Sequence, residues 1–72
     1  MRTISLYDAH HELVSLLELP ARLTDAGTVR ILASALALAA SRGFGVLTSG
    51  IPPALHRQAA DRSTAGDVVL AA

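Results

Sequence analysis

The sequence contains no cysteine and no lysine, and both absences exclude something. Without cysteine there is no disulfide to staple a chain of 72 residues, and a reducing compartment is permitted. Without lysine, all six basic residues are arginines, and six acidic residues balance them to a formal net charge of zero. The cationic excess that neutralises a phosphate backbone is missing, so nucleic acid is not the expected partner. No run near the start is long and apolar enough for a signal peptide. The Ala- and Leu-rich stretch from Val29 to Ala40 is too short and too interrupted to span a bilayer. Membrane is therefore not an expected partner either, and the cytoplasm is the expected compartment. Internal repeats and low-complexity linkers are also absent.

Chemistry-bearing groups are sparse as well. His10 and His11 are adjacent, so on a helix they diverge by about 100° and do not share an ion readily, while Asp8 and Glu12 beside them make an ordinary solvated turn. His56 stands next to Arg57 without a sequence-local carboxylate to orient it as a base. Ser49-Gly50 could open a phosphate-cradling turn, but Pro52 and Pro53 remove two of the amides such a cradle needs. No catalytic residue, metal site or cofactor is expected, and the chain reads as non-enzymatic.

What is present is apolar. Half of the residues are hydrophobic and 17% are charged. One domain covering residues 1–72 is expected. A domain this small buries only about 60% of its unfolded surface. The chain thus carries more core material than a small monomer hides easily, and a homo-oligomer or a partner complex is expected, with Leu13, Leu16, Leu36 and Leu38 in the buried contacts.

The middle of the chain is the most legible part. Thr24 or Asp25 can cap a helix, and Val29, Ile31, Leu32, Ala33 and the residues from Leu36 to Ala40 leave only Arg30, Ser34 and Ser41 as a polar stripe. Arg42 and Gly43 mark its end. Phe44 to Thr48 then reads as a short buried strand. A helix leading into a strand with so little linker predicts a crossover onto a parallel sheet. Pro52-Pro53 opens a further helix with Leu55 and Ala59 inside and Ile51 folded back as a staple. Arg2 to Tyr7 alternates as a half-buried strand, with Ile4 and Leu6 on one side. Two segments stay open between helix and strand: Leu13 to Leu19, which Asp8 could cap as a helix, and Val68 to Leu70, ahead of which Thr64 and Asp67 have capping-box spacing.

Asp25-Ala26-Gly27-Thr28-Val29-Arg30-Ile31-Leu32, the Arg42-Gly43 stop, Val46-Leu47, Ile51-Pro52-Pro53-Ala54-Leu55 and Asp67-Val68-Val69-Leu70 together resemble the C-terminal part of STAS domains, the anti-sigma-factor antagonists and their relatives. The likeness runs from about Leu23 to Leu70. It implies an α/β, STAS-like module of short parallel strands joined by a long buried helix, incomplete without a partner or a dimer. It also implies a regulatory protein–protein interaction in which Asp25, Thr28 and Arg30 face a partner such as a kinase-type anti-sigma factor. Where that family places a phosphoacceptor Ser or Thr after the Asp, this chain has Ala26, so no phosphorylation switch is expected there. A weaker likeness joins residues 1–9 and Leu13 to the opening of Phd/YefM-type antitoxins, which implies a DNA-binding dimer using Arg2, Thr3 and Ser5. A structural or assembly subunit is the third reading.

Overall fold

The computed structural model describes residues 1–63. The elements are β1 (Arg2–Tyr7), β2 (Leu13–Leu19), α1 (Asp25–Arg42), β3 (Gly45–Ser49) and α2 (Pro53–Arg62). The expected continuation around Thr64 to Leu70 lies outside the described residues.

Leu13 to Leu19 is a strand, and the turn before it shows why. The Asp8 carboxylate accepts from the His10 and Glu12 amides at 2.8 and 3.0 Å, and the Asp8 amide donates to the Glu12 carbonyl at 3.0 Å. His11 takes the left-handed conformation, φ 63°, that closes the loop. Asp8 therefore organises a hairpin turn and not a helix start, and β2 folds back antiparallel on β1.

The sheet order is β2-β1-β3, and both neighbouring pairs are antiparallel. This corrects the expected α/β architecture of parallel strands: the described fold is α+β, an antiparallel three-stranded sheet with two helices. The physical reason is β1. Because β1 runs against both neighbours, β2 and β3 do point the same way, as a helical crossover requires. The hairpin strand occupies the place between them, so α1 connects two strands that never touch.

α1 starts at Thr24, whose hydroxyl accepts from the Gly27 amide at 3.0 Å, and stops at Gly43 in the left-handed conformation, φ 70°. The Gly43 and Phe44 amides both turn back to the Ala39 carbonyl. The helix is buried on two sides, since Val29, Leu32, Ala33, Ala35, Ala37 and Ala39 are all nearly inaccessible. One side meets β1 and β3; the other takes α2, which is led in by Pro52 and buries Leu55 and Ala59. Small alanine side chains let the two helices approach closely. Ile4 and Leu6 from β1, Leu19 from β2 and Ile51 from the β3–α2 turn complete the core. α1 crosses β1 and β3 and leaves most of the inner face of β2 uncovered.

Candidate functional site: an arginine-rimmed cleft beside an open strand

The uncovered strip is a cleft of about 620 Å³. One wall is a ridge of α1 in which Arg30, Ser34, Leu38 and Arg42 recur every four residues, backed by Ile31 and Ala35. The facing wall is Val14, Ser15 and Leu17 of β2, and Leu6 and Phe44 form the floor. At 1.5 Å per residue the two arginines stand about 18 Å apart along the helix, one at each end of an apolar trough. Both are exposed, and neither makes an ion pair among the described residues.

A bulge in β2 supplies the apolar wall. The β1–β2 register shifts between Leu6, opposite Ser15, and Tyr7, opposite Leu13, which leaves Val14 as the extra residue. Leu13 and Leu16 consequently share the outer face with Tyr7 and Ser5, while Val14 and Leu17 both line the cleft. Leu13, Val14, Leu16 and Leu17 are each between 39% and 54% exposed, so β2 presents hydrocarbon on both faces. Of the four leucines expected in buried contacts between subunits, Leu13, Leu16 and Leu38 lie on this open surface, and Leu36 packs against the core.

The expected partner-binding residues are not presented together. Arg2 reaches across from β1, and its Nη1 donates to the Asp25 carboxylate at 3.1 Å and to the Thr28 hydroxyl at 3.0 Å. Thr28 is fully buried, and its hydroxyl donates in turn to the Thr24 carbonyl at 3.0 Å. Thr28 thus belongs to the internal bracing of the first helical turn, and Arg2 is occupied there. Asp25 keeps an exposed carboxylate edge, with 71% of its side chain accessible. Arg30 lies on the cleft rim. What the sequence reading passed over is the partnership of Arg30 with Arg42; the four-residue spacing from Arg30 through Ser34 and Leu38 to Arg42 was the available signal.

Elsewhere the buried polar side chains among the described residues are satisfied. The Thr48 hydroxyl and His56 Nε2 share a 2.8 Å hydrogen bond that ties α2 to β3. Among the described residues no buried side-chain nitrogen or oxygen lacks a partner, and no group of three or more His, Cys, Asp or Glu is placed to hold a metal. No helix among them is long and apolar enough to cross a membrane. No protein-family model, curated protein or solved structure matches the chain.

Proposed function

We propose that this chain is a non-enzymatic, regulatory interaction module that binds another protein through the cleft between α1 and β2. The observation that carries the reading is an apolar trough with, at each end, an arginine that makes no ion pair among the described residues. Such a trough selects an apolar segment with carboxylates spaced to meet Arg30 and Arg42. The hydrocarbon supplies affinity, and the guanidiniums supply register and sign selectivity. A regulatory partner of the anti-sigma-factor kind, bound in the cytoplasm, is what the residue pattern from Leu23 to Leu70 adds to this. The exposed edge of Asp25 sits at the start of the same helix and is available to the same partner.

A DNA-binding role is favoured by one observation, the antiparallel N-terminal ribbon, and opposed by another: Arg2, its expected DNA contact, is held by Asp25 and Thr28.

Fluorescence anisotropy with a labelled amphipathic peptide of leucines and glutamates, set against the same peptide with lysine for glutamate, tests the proposal. The acidic peptide should bind and the basic one should not, and Arg30→Glu with Arg42→Glu should reverse that preference. Equal binding of both peptides, or a preference the double variant leaves unchanged, refutes it. Tight, salt-sensitive binding of a DNA duplex would establish the antitoxin reading in its place.

A further inference from the structure

β2 is an edge strand with few of the features that keep edges apart. Among the described residues no strand lies along its outer side, and Glu18 is its only charge. It contains no proline, and its exposed leucines and valine offer hydrocarbon above and below the unpaired backbone.

We infer that a second copy of this chain pairs with β2, antiparallel and about a twofold axis at Leu17, joining two three-stranded sheets into one of six strands. The inference does not depend on the partner proposed above. Self-pairing of an edge strand is isologous, so it closes at a dimer and leaves no β2 edge over. The register follows from the strand itself. The bulge at Val14 limits the regular ladder to Ser15 through Leu19, whose midpoint is Leu17. About that axis Leu17 meets its own copy, Ser15 meets Leu19, and Leu16 covers the stem of Glu18. An axis one residue earlier forces the bulged Val14 into the ladder, and one residue later sets Glu18 against Glu18. The same axis brings Glu12, just before the strand, toward Arg22, just after it, in the second copy. Both are exposed, and neither side chain is paired among the described residues. The charges at the two strand ends are therefore complementary under antiparallel pairing and would clash under parallel pairing. Leu17 also lines the cleft, so pairing there runs the two clefts into one trough across the axis.

A chain without cysteine makes the test direct. Leu17→Cys, oxidised with copper phenanthroline at micromolar protein, should give a covalent dimer. Leu47→Cys, at a still more exposed position on the opposite edge strand, should give little. Glu12→Arg breaks both symmetry-related pairs and should raise the dimer dissociation constant in sedimentation equilibrium roughly twofold to thirtyfold, the range of two exposed ion pairs, and adding Arg22→Glu should restore it. Far-ultraviolet circular dichroism identifies any variant that fails to fold, and the charge swap then carries the test alone. A monomeric wild type, equal crosslinking at both cysteines, or a swap that does not restore association overturns the inference. Peptide anisotropy on the Glu12 and Arg22 variants, whose sites lie outside the cleft lining, reports the partner site separately, so the two readings fail independently.

Discussion

Two glycines with nearly the same backbone angle should respond very differently to one added methyl group. Gly43 and Gly50 have φ of 70° and 74°, so alanine at either incurs the left-handed penalty of about 1–2 kcal/mol. At Gly43 that is the whole cost, because a Cβ there meets nothing within 4 Å. At Gly50 a Cβ would stand 2.6 Å from the Met1 carbonyl oxygen and 3.2 Å from its carbon. Both are backbone atoms that cannot swing aside as a side-chain tip can. Relief requires moving the start of β1 against the end of β3, an overpacking cost of about 1–3 kcal/mol more. Urea unfolding followed at 222 nm measures the difference. With a slope near 1 kcal/mol per molar, Gly43→Ala should lower the midpoint by about 1–2 M and Gly50→Ala by about 2–5 M. The latter is comparable to the whole stability expected of so short a chain. The shift at Gly50 also displaces Arg2, so its hold on Asp25 and Thr28 should loosen with it. Equal midpoints for the two variants would show that the β1–β3 junction yields freely and would refute the argument.

His11→Gly should stabilise the protein, because glycine accepts φ 63° without penalty; a gain of up to about 1 kcal/mol should raise the melting temperature by a few degrees, and a fall would contradict the turn described. Val29→Asp should unfold the domain, since Val29 is 6% exposed and a carboxylate there has no partner, whereas Asp25→Asn keeps an oxygen for Arg2 on an exposed side chain and should leave the thermal midpoint within a degree or two. Circular dichroism melts of both variants check this, and a folded Val29→Asp would mean that α1 is not packed as described.

The elements were more legible than their arrangement. α1 announces both of its ends in sequence, through Thr24 and Gly43, and Pro52-Pro53 announces α2, because caps and prolines act within a few residues of themselves. Leu13 to Leu19 was ambiguous for the opposite reason. Its apolar residues fit a helical face about as well as a strand, and what decides the matter is pairing with β1, arranged by a turn in which a non-glycine residue takes a positive φ. The parallel sheet failed on connectivity. A helix followed by a strand does imply a crossover, and β2 and β3 do run the same way, but nothing local states that an earlier hairpin strand occupies the position between them.

The same distinction explains the site. Arg30 was visible as part of a polar stripe because a helix period can be counted along the chain. Whether that stripe faces bulk solvent or borders a trough depends on where β2 lies, and β2 lies there only because β1 is central and α1 passes over β1 and β3. Thr28 shows the converse. By position it belongs with Asp25 and Arg30 in the opening of the helix, yet the guanidinium of Arg2, 26 residues away in sequence, draws its hydroxyl into the interior. Three residues within six positions therefore take three roles: Asp25 anchors an exposed ion pair, Thr28 braces the helix start, and Arg30 guards the cleft. A substitution series across them should separate partner binding from folding: Arg30→Ala lowers affinity for the acidic peptide with the melting curve unchanged, and Thr28→Val shifts the melting curve with affinity unchanged. The reverse outcome would place the working surface at the helix start and not on the rim of the cleft.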